Sequence, residues 1–342
     1  MSQPESSIAP AAWDDVVRLL LGARSVLLLG HVAPDGDALG SALAVGLALR
    51  SLPGERRVAV SFGDEPFAVP ANLSWLPGLD LVRPPSATDP SPDVVATFDA
   101  SSMDRLGCLG PVADAAPALV VVDHHTSYDG FGTHPLVDRA APATAVLADE
   151  LIRRLGAPLT PDVAANLYAG LVTDTGSFRF AGTTSDTLQL AARLLDTGIR
   201  FDVMSRRLFD DAPFTYLGLL GRALDRAVLE APAAGGLGLV WTVVPASDRQ
   251  RAGLAIDLAE PVIDAVRKAE EAEVACVVKE DDNGRLRVSL RSKGRVDVSA
   301  VAATLGGGGH RYAAGFTAVS ADVAEVLSAV RHGLSQAPHL EA

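Results

Sequence analysis

Apolar positions along the chain come as short unbroken runs separated by longer amphipathic stretches. Ser25 to Gly30 (SVLLLG), Arg57 to Phe62, Val94 to Phe98 (VVATF) and Ala118 to Val122 (ALVVV) are such runs. Runs of this length without alternation predict strands buried on both faces, as in a parallel sheet. Trp13 to Leu21, Ala38 to Leu49, Thr144 to Leu155 and Asp162 to Val172 carry helical periodicity between and after them. Strands alternating with helices predict an α/β, doubly wound parallel sheet with right-handed crossovers.

The pattern changes in the second half. Thr184 to Phe209 predicts helices joined by short turns. Beyond it, Gly238 to Val244 and Ala275 to Lys279 read as strands. Arg285 to Arg291 follows an Asp282-Asn283-Gly284 turn, so Ala275 to Arg291 predicts a hairpin. Val298 to Leu305 and Ala321 to Leu334 read as helices, and Arg83 to Pro92 and Ala231 to Gly236 as Pro- and Gly-rich surface loops. The expected organisation is a first domain over 1–190, a helical linker over 191–215 and a smaller α+β domain over 216–342.

Composition narrows the function classes. With 48% hydrophobic and 21% charged residues in 342, the chain can bury a core. Its net charge of −13 argues against a broad basic face for long or duplex nucleic acid. Cys108 and Cys276 lie far apart, which excludes a cysteine-rich zinc site and a disulfide framework; both are expected to be buried thiols. Asp14 and Asp15 precede any apolar run, the wrong charge order for a signal peptide. The apolar stretch near Leu19 to Val32 is broken by Arg24 and His31, so no membrane span is expected. The expectation is a soluble, cytoplasmic protein.

Acidic and histidine side chains gather where the expected strands end. His31, Asp35 and Asp37 follow the first run, with Pro34 and Gly36 bending the loop between them. Asp99 follows the third, and Asp123-His124-His125 the fourth. Asp174 follows the helix ending near Val172. Each could serve a turn or a cap. Together they point to one carboxyl edge of a parallel sheet, where open α/β folds build sites. So many carboxylates and imidazoles without thiolate favour Mn²⁺ or Mg²⁺ over structural Zn²⁺. They suffice for two cations about 3.5–4 Å apart, suited to in-line displacement at phosphorus. In the second half, Gly306-Gly307-Gly308-Gly309-His310 is not a P-loop. Its glycines suggest a backbone nest for an anion, beside the basic run Arg291, Ser292, Lys293 and Arg295.

These motifs, in this order, resemble the DHH phosphoesterase superfamily, named for the element matched by Asp123-His124-His125, with a DHH-associated C-terminal domain matched by the Gly-rich run and His310. The likeness extends from about residue 13 to about 335 and is nearest to the subgroup of bifunctional oligoribonucleases and PAP phosphatases. The resemblance implies a catalytic domain and a substrate-binding domain with the active site in the cleft between them. It implies two divalent cations, Mn²⁺ preferred and Mg²⁺ possible. His31, Asp35 and Asp99 match the ligands of one cation, and Asp37, Asp99, His124 and Asp174 those of the other, with Asp99 bridging. Asp123 would orient a neighbouring imidazole, and His125 would face the scissile phosphate. Arg291, Ser292, Lys293, Gly307, Gly308, Gly309 and His310 would contact substrate. The family's loop often carries Ala where Gly36 stands, a change expected to be harmless. The implied substrates are short 5′-phosphorylated oligoribonucleotides, dinucleotides and 3′-phosphoadenosine 5′-phosphate (pAp), with cyclic di-AMP or its linear product by extension. A homodimer is implied, with no duplex nucleic acid and no membrane partner. Alternatives are a single-strand DNA exonuclease, an inorganic pyrophosphatase and a non-catalytic nucleotide-binding regulator.

Overall fold

The computed structural model describes residues 8–180 and 182–340; the first seven residues of the expected first domain lie outside them. The chain divides into two compact units, Met1–Asp211 and Ala212–Ala342.

The first unit is built on five parallel strands, β1 (Ser25–Leu29), β2 (Arg57–Ser61), β3 (Val94–Phe98), β4 (Leu119–Asp123) and β5 (His134–Val137), in the order β2-β1-β3-β4-β5. Its helices are α1 (Pro10–Gly22), α2 (Gly36–Ser51), α3 (Gly110–Asp114), α4 (Thr144–Arg154), α5 (Pro161–Asp174), α6 (Ser185–Leu195) and α7 (Phe201–Phe209). Strands β1, β3 and β4 are buried at every position, as their unbroken apolar runs require. Strand β5 escapes a reading by periodicity: it has four residues, His and Pro among them, and sits at the sheet edge, where a missing N–H is tolerated. Most of the stretch read as a helical linker packs onto this unit, because Ala191, Leu194 and Met204 belong to its core, while residues from Ala212 on fall in the second unit.

Helices α2 and α5 approach unusually closely. A Cβ on Gly40 would lie 2.5 Å from the Asn166 carbonyl oxygen, and one on Gly170 would lie 2.6 Å from Asp37 Oδ1. Helix α2 is buried from Gly36 to Leu49, which explains its near-absence of polar residues.

The second unit carries a six-stranded mixed sheet, β6 (Val228–Glu230), β7 (Leu239–Val244), β8 (Val274–Glu280), β9 (Leu286–Ser292), β10 (Gly308–His310) and β11 (Ala313–Thr317), ordered β10-β11-β9-β8-β7-β6. Only β7 and β8 run parallel. Its helices are α8 (Phe214–Asp225), the single turn α9 (Ala233–Gly236), α10 (Ala246–Ala252), α11 (Val262–Val266), α12 (Val298–Thr304) and α13 (Val323–Gln336). The expected hairpin is present: β8 pairs antiparallel with β9, and Gly284 takes the positive φ of 76° that the turn needs. One apolar cluster packs α12 and α13 on one face of this sheet, and another packs α8 and α11 on the other. Cys276 is buried, but Cys108 is exposed at the end of an irregular segment, contrary to expectation. Among the described residues no helix is long and apolar enough to cross a membrane.

Candidate metal centre

Strand order reverses direction between β1 and β3, and the carboxyl ends of such strands frame a crevice. His31 and Asp35 follow β1, Asp99 follows β3, and Asp123 to His125 end β4. Asp37 enters from the first turn of α2 and Asp174 from the last turn of α5. The close packing of those two helices places both carboxylates at the same crevice.

One ligand atom from each of Asp37, Asp99, His124 and Asp174 lies within 4.8 Å of the others, and the same holds for His31, Asp35 and Asp99. Asp99 is common to both sets. His124 Nε2 stands 3.0 Å from Asp174 Oδ2, 3.4 Å from Asp99 Oδ1 and 3.8 Å from Asp37 Oδ2. His31 Nε2 stands 3.5 Å from Asp99 Oδ2 and 3.9 Å from Asp35 Oδ2. The structure thus brings together the residues that sequence singled out, in the two sets expected.

Their surroundings fix their directions. His124 Nδ1 donates to the Ala141 carbonyl at 2.9 Å, so in the neutral ring Nε2 is the bare nitrogen that faces the carboxylates. His125 Nδ1 donates to Asp123 Oδ1 at 2.7 Å, and the His125 amide donates to Asp123 Oδ2 at 3.2 Å. Asp123 therefore orients the His125 ring. Asp35 plays the cap role as well: Oδ1 accepts from the Asp37 and Ala38 amides at the start of α2. Asp37 is fully buried and accepts from Thr144 N at 2.6 Å and Ala145 N at 2.8 Å. It caps α4 from another helix, where the local cap residue Ala143 has no side chain to do so. Asp99 sits at a positive φ of 61°. That left-handed conformation is one Asp tolerates better than most residues, and strained positions of this kind collect at functional sites.

The charges are out of balance without a counterion. Burial, then Asp174 and Asp99, push the Asp37 carboxyl well above the ordinary range. Burial pushes Asp174 up to about 6, with Asp99 and Asp35 adding to it against the pull of His124. Burial also opposes the charged form of Asp99, but the His125 charge and hydrogen bonds from His124 and His31 outweigh it and hold Asp99 low. His124 is driven well above its usual value because Asp174 and Asp99 outweigh its burial. Crowded oxygen and nitrogen donors, one carboxylate shared between two sets, and no thiolate fit divalent cations.

Two further side chains at the site, Thr144 and Arg105, are not singled out by the sequence pattern. Thr144 Oγ1 donates to Asp99 Oδ1 at 2.9 Å. Arg105 Nη2 sits 3.0 Å from His31 Nδ1, which is also 2.8 Å from the Val32 carbonyl oxygen. Their positions depend on tertiary packing; the hint was a Thr opening a helix and an Arg shortly after Asp99. Gly36 corrects the expectation that Ala there is harmless: a Cβ would lie 2.7 Å from Thr173 Cγ2, 2.8 Å from its Oγ1 and 3.1 Å from the Ala169 carbonyl oxygen.

The second unit departs further from expectation. Ser292 is buried, its Oγ donating to Glu273 Oε1 at 2.8 Å and accepting from Gly294 N. Lys293 Nζ donates to the Ala269 carbonyl. Both side chains tie the loop after β9 to the chain near 269–273. The glycines are not a free nest: Gly306 N and Gly307 N donate to Ala303 and Ala302 at the end of α12, and Gly308 to His310 pair with β11. Gly307 and Gly309 are required because a Cβ would meet the Gly315 and Ala313 carbonyl oxygens at 2.1 Å and 2.5 Å. Gly308 has open space around it. Arg291 emerges from β9, its Nη2 3.5 Å from Glu260 Oε1.

Residues 25–171 match the N-terminal domain of the DHH family, and residues 252–336 match the DHHA1 domain. A bifunctional oligoribonuclease and PAP phosphatase NrnA of Thermus thermophilus is 32% identical over 323 residues, covering 92% of each chain. The chain belongs to the DHH family. The NrnA protein of Bacillus subtilis, with the same description, is 26% identical over 318 residues, covering 92% of this chain and 96% of its own. A crystal structure of an exopolyphosphatase-related protein from Bacteroides fragilis matches with a TM-score of 0.84 at 23% identity, over 96% of this chain and 97% of that one, which is a likeness of fold. Membership of the DHH family makes the protein a phosphoesterase and implies divalent metal at the carboxylate and imidazole cluster.

Proposed function

We propose that this DHH protein hydrolyses short 5′-phosphorylated oligoribonucleotides and pAp to mononucleotides, using two divalent cations with Mn²⁺ preferred. The observation that carries the reading is the pair of ligand sets sharing Asp99 at the β1/β3 switch point. The descriptions of the Thermus and Bacillus relatives support the substrate class. Imidazole in both sets favours Mn²⁺ over Mg²⁺, which takes oxygen ligands.

His31, Asp35 and Asp99 would hold one cation, and Asp37, Asp99, His124 and Asp174 the other. When bound, the cations polarise a phosphoryl oxygen and make water acidic beside it. The protein side chains do the rest. Asp123 fixes the His125 ring through Nδ1, so Nε2 can hold a proton towards a phosphoryl oxygen as negative charge grows there. Thr144 and the α4 amides hold Asp99 and Asp37 in fixed orientations, so these carboxylates need not reorganise during reaction. Arg291 and the edge strand ending at His310 are the proposed substrate contacts in the second unit.

The test is product analysis of the purified chain in Mn²⁺ or Mg²⁺. pAp, a 5′-phosphorylated RNA dinucleotide, cyclic di-AMP and pyrophosphate are offered separately, with Asp99→Asn as control. Release of AMP or mononucleotides, lost in the control, is the expected result. Turnover of pyrophosphate alone would refute the reading.

A further inference from the structure

Lysine is rarely buried, and Lys279 on β8 is, with its side chain 6% exposed. Its surroundings are strand neighbours. Register places Val277 across from Ser289 and Ala275 across from Arg291, so Lys279, Ser289 and Arg291 emerge on one face of the sheet. Lys279 Nζ donates to Ser289 Oγ at 2.8 Å, and Ser289 Oγ donates to Glu260 Oε1 at 2.9 Å. Lys279 Nζ also pairs directly with Glu260 Oε2, and Arg291 Nη2 approaches Glu260 Oε1. Ammonium, hydroxyl and guanidinium thus converge on a single carboxylate. On the next strand the facing residues are small: Gly315 opposes Ser289 and Ala313 opposes Arg291.

We infer that Lys279, Ser289 and Arg291 form a binding position for the phosphate monoester of a nucleotide, and that Glu260 is a built-in competitor filling it in the ligand-free chain. The inference rests on the reading above for its choice of a nucleotide phosphate.

The asymmetry of burial decides against a plain structural ion pair. Lys279 and Ser289 are locked in the sheet, whereas the Glu260 side chain is 44% exposed, just after the irregular turn Ile256–Ala259 and before Pro261. The anion can swing into water; the donors cannot. The local field also remains positive. Burial, then Arg291 and Arg287, push Lys279 down to about 7, with Asp257 pulling the other way. A phosphate dianion accepts from all three donors and carries more charge than the carboxylate it displaces.

The experiment uses the full chain in EDTA, so that cations contribute nothing. AMP, inorganic phosphate and adenosine are titrated calorimetrically. Glu260→Gln should tighten AMP and inorganic phosphate by roughly tenfold, the scale of one charged contact, and leave adenosine unchanged. Ser289→Ala and Lys279→Met should weaken AMP by a similar factor; Ser289→Ala carries the test if Lys279→Met lowers the melting temperature. Unchanged or weaker AMP binding in Glu260→Gln, with melting temperature retained, overturns the inference, as does a gain shared by adenosine. With Mn²⁺ present, Glu260→Gln should lower KM at unchanged kcat. This separates the two readings: absent turnover with the binding pattern intact sinks the proposed activity alone, and turnover without the binding pattern sinks the competitor alone.

Discussion

The two units gather charge in opposite ways. In the first, Asp37, Asp99 and Asp174 crowd around His124 at the carboxyl edge of a parallel sheet, brought from strand and helix ends far apart in sequence. In the second, Lys279, Ser289 and Arg291 lie side by side on the face of an antiparallel pair, their spacing set by strand register. The first arrangement has too much negative charge for its burial and is completed by cations. The second has too much positive charge and is occupied by a carboxylate of its own chain. A parallel sheet concentrates loop residues at one edge; an antiparallel pair concentrates side chains on one face.

The largest expected effect tests the negative side. Asp99→Asn keeps the shape and tolerates the left-handed backbone, but removes the charge shared by both ligand sets. Phosphoesterase kcat/KM should fall by at least about a thousandfold, measured on pAp and a 5′-phosphorylated dinucleotide. A fall below tenfold would remove Asp99 from the centre of the site.

Next comes stability. Each cation at about 100 times its Kd should add about 2.7 kcal/mol to the first unit, or roughly 5–10 °C in melting temperature. Asp99→Asn should abolish most of that rise. If wild type and variant respond alike to Mn²⁺, the crowded carboxylates are not where the cation binds.

How legible this was in sequence differs between the two regions. Strand ends are visible as apolar runs that stop, so His31, Asp99 and Asp123 to His125 could be read as neighbours once a parallel sheet was inferred. Asp37 and Asp174 followed because they flank helices in that sheet's layers. Thr144 and Arg105 stayed hidden because their contacts with Asp99 and His31 come from packing, not from spacing. In the second unit the run Arg291 to Lys293 drew attention by composition, yet Ser292 and Lys293 face their own loop. Lys279 and Ser289 sit inside strand patterns and looked like ordinary alternation; only register puts them beside Arg291. Strands β10 (GGH) and β11 (AAGFT) are short and hold Phe316 as their one large apolar side chain, too little for a periodicity to show.

A smaller effect concerns pH. Asp174 is raised to about 6 in the fold from the ordinary carboxylate value of 3.8, so between those values the folded state binds the extra proton. Stability of the metal-free chain should therefore fall as pH rises through that window. His124, raised well above 6.5, continues the fall at higher pH, because its charged form is the one favoured by folding. Bound cations require deprotonated ligands, so their contribution runs the other way. The melting-temperature rise on adding Mn²⁺ should be larger at pH 8 than at pH 5. An equal rise at both would mean that protons and cations do not compete for these side chains.

The smallest effect probes the packing that holds the acidic region together. Gly36 opens α2 next to Asp37, and its missing side chain lets Thr173 of α5 come close. Gly36→Ala should cost about 1–3 kcal/mol by overpacking, reduced by roughly 0.4–1 kcal/mol because alanine restricts the unfolded chain. Thr173→Ala removes both side-chain atoms that the new methyl would strike, although it also removes the Thr173 hydroxyl's bonds to Ala169 and Gly170. The double variant should then be more stable than the two single costs predict, by about 1 kcal/mol of coupling in a denaturant melt. Additive costs would mean that the helix ends relax apart independently. In that case the convergence of Asp37 and Asp174 would depend on the carboxylates and their cation, not on glycine-mediated contact between α2 and α5.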